Sequence, residues 1–183
     1  AEPWLIPAIA PLLETYADKN EKVKQAAESA MASIVPLFPP EAAAELLDVL
    51  YGVIMSSTAK WQAKVGALKI IGRLADLAYE QVGDELTQMT PVLTQAMHET
   101  KAEVSKQAIK TATKVCGVID NNDIRPFIPD LVGCMARPDS VPACIKKLSS
   151  ITFVAEVTGP ALAVMVPLLS RALNERSQTV QRL

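Results

Sequence analysis

Residues 91–115, PVLTQAMHETKAEVSKQAIKTATKV, contain the pattern that decides the fold. A Pro-led apolar stretch runs into a polar turn, ETKAE, and a second apolar stretch begins at Val104. In the second stretch the apolar residues recur every three or four positions, which is the spacing of one helix face. These residues are Val104, Ala108, Ala112 and Val115. The segment therefore predicts two amphipathic helices joined by a short turn.

The same arrangement recurs along the chain with a period near forty residues. An apolar residue opens the second helix of each unit, at Val23, Trp61, Val104, Val141 and Val180. Four of them follow a proline by 12 or 13 positions, the prolines being Pro11, Pro91, Pro129 and Pro167. Two helices per unit at this period are typical of HEAT repeats. The sequence therefore predicts an all-α fold, an armadillo-like α-solenoid of antiparallel helix pairs.

We expect the chain to form one array of five repeats. Their approximate bounds are 2–38, 41–79, 84–119, 124–156 and 160–183, with the last repeat truncated. A break between units is indicated at Asn121-Asn122-Asp123, and Asp123 is predicted to cap the helix that follows. The final stub, SQTVQRL, is predicted to be too short for a stable helix without packing. Its ending suggests a fragment of a longer array.

Small residues on the second helices predict close stacking of neighbouring pairs. Ala63, Gly66 and Ala67 place little side-chain volume on one face, so that backbones can approach closely. Trp61 takes the same anchor position as Val104 in this alignment of the repeats. It is therefore predicted to lie in the core.

The composition indicates a soluble chain from a reducing compartment. Half of the 183 residues are apolar, the formal net charge is −2, and no apolar run approaches the roughly 18 residues of a membrane span. Cys116, Cys134 and Cys144 lack metal-ligand spacing and are predicted to be buried, reduced thiols. We expect a cytoplasmic, monomeric protein with neither a membrane nor DNA as partner.

Motifs for catalysis are missing from the sequence. His98 has no nucleophile motif around it, and its expected role is exposure or a favourable charge near a helix end. The glycines form no phosphate-binding loop. We therefore expect no enzyme activity, no cofactor and no metal site in this chain.

Basic residues in the turns and along the second helices are the remaining candidates for function. They are Lys19, Lys22, Lys24, Lys60, Lys64, Lys101, Lys106, Lys110, Lys114, Lys146, Lys147 and Arg176. Stacked repeats align equivalent positions into ridges, so this set forms either an ordinary solvated face or a track for a phosphate backbone or an acidic partner. Few aromatic residues accompany the lysines, so base stacking on single-stranded RNA is not expected.

Three stretches of the sequence resemble one family. They are KWQAKVGALKIIGRLAD at 60–76, DNNDIRPFIPDLVGCMARPDSVP at 120–142 and ITFVAEVTGPALAVMVPLLSRALNERS at 151–177. These stretches resemble the HEAT region of fungal-type translation elongation factor 3. A large HEAT-repeat, ribosome-associated activator of starvation signalling has a similar region, but it lacks the TFVAEVT string.

The resemblance implies a docking role in translation. In that family the HEAT solenoid binds ribosomal RNA and ribosomal proteins. Two ATP-binding cassettes elsewhere in the factor use ATP and Mg²⁺ to drive release of deacylated tRNA from the exit site. By this resemblance the present chain binds no nucleotide itself and positions the factor on the ribosome.

A protein-binding scaffold is the alternative function. HEAT arrays commonly bind peptides or partner helices in their grooves, and such binding needs no RNA. The starvation-signalling activator belongs to this alternative. Salt dependence separates the two functions, because contacts to RNA phosphates release counterions.

Overall fold

Helices form all the regular secondary structure in the described part of the chain. The computed structural model describes residues 2–150, 152 and 154–174. Its α-helices are α1 (Glu2–Glu14), α2 (Glu21–Ile34), α3 (Ala43–Met55), α4 (Trp61–Leu77), α5 (Tyr79–Asp84), α6 (Leu86–Met97), α7 (Ala102–Cys116), α8 (Ile128–Ala136), α9 (Val141–Leu148) and α10 (Gly159–Leu173). These residues include no β-strand, so the predicted all-α fold is confirmed. None of the described helices is long and apolar enough to cross a bilayer.

Successive long helices pack as pairs. The pairs are α1 with α2, α3 with α4, α6 with α7, and α8 with α9. We call the first helix of each pair helix A and the second helix B. Neighbouring pairs also touch, since α1 contacts α3, α3 contacts α6, and α4 contacts α7. This is the arrangement of a solenoid.

Polar turns and one short helix connect the second and third helix pairs. Polar turns at 56–60 and 98–101 join the helices of the second and third pairs. The short helix α5 connects those two pairs, at the junction between the predicted repeats 41–79 and 84–119. The exact repeat bounds stay a prediction, and the stub at 177–183 lies outside the described residues.

Helices α4 and α7 pack against each other through small side chains. Ala67, Ala108 and Ala112 are completely buried. The hydroxyl of Thr111 donates a hydrogen bond to the carbonyl oxygen of Leu68 across the contact, at 2.8 Å. All the residues of the predicted apolar face of α7 are buried, so that prediction is confirmed.

Gly66 marks the closest approach of α4 to the first helix pair. A Cβ atom at this position would lie 2.7 Å from Leu13 Cδ2 and 2.7 Å from Tyr16 Cε2. Real Cβ atoms do not come this close to other heavy atoms. Leu13 is completely buried and cannot move aside without displacing its own neighbours. The predicted close stacking is therefore confirmed here, and it requires glycine.

The junction before α8 is held by side chains that bond to a distant loop. The Asp123 carboxylate accepts hydrogen bonds from the backbone N–H groups of Val154 and Ala155, both at 2.8 Å. Asn121, which is buried, donates its amide to the carbonyl oxygen of Glu156 at 3.1 Å. The predicted helix cap at Asp123 is wrong, because the helices that begin at Arg125 and Ile128 have no side-chain cap hydrogen bond, and the Asp123 carboxylate bonds to residues more than thirty positions away instead.

All three cysteines are buried and free, as predicted. Burial raises the pKa of Cys116 to about 12. Burial, together with the neighbouring Cys134 thiol, raises the pKa of Cys144 to about 12. Both thiols therefore stay protonated near neutral pH and behave as small apolar core groups.

Substituting Gly66 tests the close approach. We expect Gly66→Ala to lower the free energy of unfolding by about 1–3 kcal/mol, because the added methyl overpacks a filled contact. Gly52→Ala in α3 is the matched control, since a Cβ there meets nothing within 4 Å. That variant should gain about 0.5–1 kcal/mol from helix propensity. Urea unfolding measures both, and equal shifts in the two variants would contradict the packing argument.

Acid unfolding tests the Asp123 contact. Hydrogen bonds from the N–H groups of Ala155 and Val154 lower the pKa of Asp123 in the folded protein. The stabilisation is therefore complete above the pKa of this carboxyl in the unfolded chain, about 3.9. It is lost as the pH falls through the lower pKa of the folded state. Asp123→Asn should be less stable at pH 7 and show a shallower acid dependence of its urea midpoint. Asp139→Asn, at an exposed position, is the control and should keep the parent urea midpoint at pH 7.

Candidate functional site

The helix B residues of neighbouring pairs match in a definite register. The buried positions of α4 and α7 coincide when the numbering is offset by 41 residues. The matched pairs are Ala67 with Ala108, Ile71 with Ala112, and Leu74 with Val115. The same offset matches Lys60 with Lys101, the residues that directly precede α4 and α7. Equivalent surface positions can be read from this register.

Trp61 lies at the surface, so its predicted core position is wrong. It is the first residue of α4, and 37% of its surface is exposed. The sequence alignment paired Trp61 with Val104, but the structural register pairs Ala63 with Val104, and both of these are completely buried. Lys101 Nζ lies 5.4 Å from the centroid of the Trp61 ring, a cation–π contact.

Lys64 is a packing residue whose ammonium group is not accessible to a binding partner. Only 9% of the residue is exposed, and its Nζ pairs with Glu99 Oε1 across the contact between the second and third helix pairs. A binding partner would have to break this ion pair to reach the ammonium group. We therefore remove Lys64 from the candidate surface.

Three other candidate lysines form ion pairs that solvent can reach. Their pairs are Lys24 with Glu21 at 3.0 Å, Lys114 with Asp76 at 2.5 Å, and Lys147 with Asp130 at 2.7 Å. Exposed pairs of this kind contribute little to stability and are screened by salt. These lysines can exchange their carboxylate for another anion at low cost.

Most of the other candidates are exposed lysines without a carboxylate partner in the described part of the chain. They are Lys19, Lys22, Lys60, Lys101, Lys106, Lys110 and Lys146. Lys106 and Lys110 lie one turn apart on the outer face of α7, opposite buried Ala108. Arg176 lies outside the described residues.

Two basic residues of α4 extend this surface and were missed by the sequence analysis. Lys69 and Arg73 are exposed, and the register matches them with Lys110 and Lys114 of α7. Arg73 Nη1 also donates to the carbonyl oxygen of Ala32 in α2, at 3.1 Å. An alignment on Lys60 and Lys101, the lysines that precede α4 and α7, would have found both residues. We call Lys69, Arg73, Lys106, Lys110 and Lys114 the helix B basic surface.

Charge is segregated between the two kinds of helix. Helices α1, α3, α6 and α8 contain no lysine or arginine, whereas α2, α4, α7 and α9 contain ten of the chain's eighteen. Acidic residues Glu45 and Asp48 lie on the helix A surface of α3. In a chain with a formal net charge of −2, the basic residues are therefore concentrated on the B helices.

A crevice beside the helix B basic surface adds polar groups. It lies between α2 and α4, has a volume of about 240 Å³, and is lined by Tyr16, Glu28, Lys69 and Arg73 among others. Burial, with a smaller effect of Glu28, raises the pKa of Tyr16 to about 12, so its hydroxyl stays a hydrogen-bond donor at neutral pH. The crevice therefore offers donors to an anionic group.

The described residues bring together no cluster of side chains suited to metal binding or acid–base chemistry. No group of three or more His, Cys, Asp and Glu side chains there could hold a metal ion. His98 follows the last residue of α6, and its Nε2 lies 3.1 Å from the carbonyl oxygen of Met135. This single contact gives His98 a local structural role.

Two family models match the chain and identify its family. The family model described as EF3 N-terminal HEAT repeat matches residues 1–112, and the model described as elongation factor 3/GNC1 HEAT repeat matches residues 139–183. The chain therefore belongs to the HEAT-repeat family of elongation factor 3, and the resemblance found in the sequence is confirmed.

Curated relatives agree with the family. The chain is 42% identical to elongation factor 3 of Phytophthora infestans over 99% of its length, and 38% identical to elongation factor 3A of Saccharomyces cerevisiae over 99%. It is also 41% identical to mRNA export factor elf1 of Schizosaccharomyces pombe over 100%. The chain spans 17% of the length of each of these proteins. A solved engineered protein aligns over 96% of this chain and 76% of its own at 16% identity, with a TM-score of 0.45, too weak a likeness to support an argument.

The different roles of Lys64 and Lys106 can be tested by measuring the free energy of unfolding of variants at each position. We expect Lys64→Met to lower the free energy of unfolding by about 1–2 kcal/mol, because Glu99 loses its partner in a largely buried contact. Lys106→Met, at an exposed position, should change it by less than about 0.5 kcal/mol. Urea unfolding of the two variants measures the difference, and equal stabilities would show that Lys64 is not a packing residue.

Proposed function

We propose that this chain docks a translation factor of the elongation factor 3 family on the ribosome through RNA phosphates. The observation that carries this proposal is the segregation of basic residues onto the B helices. Lysine and arginine neutralise phosphate charges, and this electrostatic contribution supplies most of the sequence-independent affinity for nucleic acid. The helix A surface, which lacks such residues, faces away from the RNA in this arrangement.

The register of the repeats makes the basic residues a continuous surface. Lys69 and Lys110 occupy equivalent positions on α4 and α7, which are in contact, and Lys106 lies one turn before Lys110. A ridge that crosses successive repeats can follow the repeating charges of a phosphate backbone. Ribosomal proteins with acidic surfaces are further partners for the same ridge.

The activity of the whole factor lies outside this chain. We propose that ATP-binding cassettes elsewhere in the protein use ATP and Mg²⁺ to drive release of tRNA from the exit site. The HEAT array supplies position and no chemistry. In this proposal the factor works in the cytoplasm, and the array is monomeric and binds neither DNA nor membranes.

A second candidate function is binding of mRNA during export. It is favoured by the 41% identity to mRNA export factor elf1 over the whole chain. The same basic surface would then follow the phosphates of free mRNA instead of ribosomal RNA. A protein-only scaffold is a third possibility, and it predicts weak dependence on salt.

Charge substitution tests the proposed RNA contact. We expect the combined variant Lys69→Gln, Lys106→Gln and Lys110→Gln to weaken co-sedimentation with ribosomes by about tenfold or more at low salt. The slope of log affinity against log salt should become shallower by roughly 0.7–0.9 for each lysine that contacts a phosphate. Sedimentation across a salt series measures both quantities.

The matched control carries the same change in formal net charge on the helix A surface. It combines Ala44→Glu in α3 with Thr87→Glu and Gln88→Glu in α6, all exposed positions. This control should sediment like the parent chain. Equal losses in both variants would mean that only overall charge matters, and no loss in either would refute the docking surface. Tighter binding to free mRNA than to ribosomes would favour the export function.

A further inference from the structure

Trp61 and two lysines form a cluster at one end of the α4–α7 contact. More than a third of the Trp61 surface is exposed, and Lys101 Nζ lies 5.4 Å from its ring centroid. Lys60 directly precedes Trp61 and is exposed. Within the described residues, neither lysine has a carboxylate partner. An aromatic face with two available cations beside it is the combination that binds single-stranded nucleic acid.

We propose that Trp61, Lys60 and Lys101 form a binding site for an unpaired nucleotide of RNA. On binding, the Lys101 ammonium group moves from the ring to a phosphate, the base takes its place on the indole ring, and Lys60 binds the phosphate on the other side of the base. This inference rests on the proposed function and adds to it the kind of RNA element that the surface recognises. It replaces the expectation that no base stacks on this chain, because that expectation went with a core position for Trp61.

The exposed part of the Trp61 side chain lies outside the hydrophobic core. The structural register places Ala63, not Trp61, at the buried position equivalent to Val104. Trp61 is the first residue of α4, and 37% of its surface is open to solvent. Lys101 approaches the ring from the next repeat, so the site includes residues of two repeats.

The charge around the cluster favours an anion. Glu99, which lies two positions before Lys101, already pairs with Lys64. Glu103, in the first turn of α7, is exposed and is the other acidic group of this turn. Residues 56–64 and 98–103 together contain three lysines and two glutamates, so the cluster has a net positive charge.

The chemistry selects an unpaired nucleotide over a duplex. In a duplex both faces of each base are covered by neighbouring bases, so no face is available to an indole ring. In a loop, a bulge or a single strand a base can turn outward and stack on an aromatic side chain. The helix B basic surface, which contains no aromatic residue, has no such preference.

Fluorescence tests the site directly, because the chain contains only two tryptophans. In the Trp4→Phe variant of the full chain, Trp61 is the sole tryptophan. We expect its fluorescence to be quenched on titration with oligouridylate, and not with an RNA duplex of the same length. Trp61→Ala should weaken the affinity for oligouridylate about tenfold, whereas Trp61→Phe should retain most of it.

Trp4→Ala is the matched control, since Trp4 is 86% exposed on α1. It should leave the affinity for oligouridylate unchanged. Absence of quenching, or equal affinities of Trp61→Ala and Trp4→Ala, would overturn the stacking site. If ribosome binding still depends on Lys69, Lys106 and Lys110 in that case, the proposed function stands and only this inference fails. If neither RNA binds and ribosome sedimentation is also absent, both fail.

Discussion

The close approach of α4 to the helices on both of its sides is the constraint on which the rest of the structure depends. On one side Gly66 leaves no room for even a methyl group beside Leu13 and Tyr16. On the other side Thr111 reaches the backbone of α4 to bond to the Leu68 carbonyl oxygen. A helix held between two neighbours at such distances needs small residues at the points of closest approach, as at Gly66.

This constraint also places the charges. Because small and branched apolar residues occupy most of the inner faces of α4 and α7, the basic side chains of these helices other than Lys64 lie on the outer faces. Lys69 and Arg73 then occupy positions on α4 equivalent to those of Lys110 and Lys114 on α7. Packing and the candidate interface are thus two results of one arrangement, since the same register that fills the core aligns the cations.

Lysines of similar sequence context have different roles in this fold. Lys64 and Lys106 both lie in the first half of a helix B, yet Lys64 is buried against Glu99 and Lys106 is exposed. The difference comes from their neighbours, because Lys64 lies in the contact between repeats and Lys106 lies on the outer face of α7. A mixed set of basic residues therefore contains both structural ion pairs and groups available for a partner.

The sequence by itself determined the helix class, the repeat of about forty residues, the buried thiols and the family, because hydrophobic periodicity and distinctive strings are local properties of the chain. Only the tertiary structure decided the register of one helix B on the next. An error of two positions in that register put Trp61 in the core and left out Lys69 and Arg73. The physical reason is that neighbouring helices are aligned by the volumes of the side chains between them, and it is Ala63, not Trp61, that shares with Val104 a completely buried position. Those volumes act across a contact between residues about forty positions apart, which the pattern along a single helix does not contain.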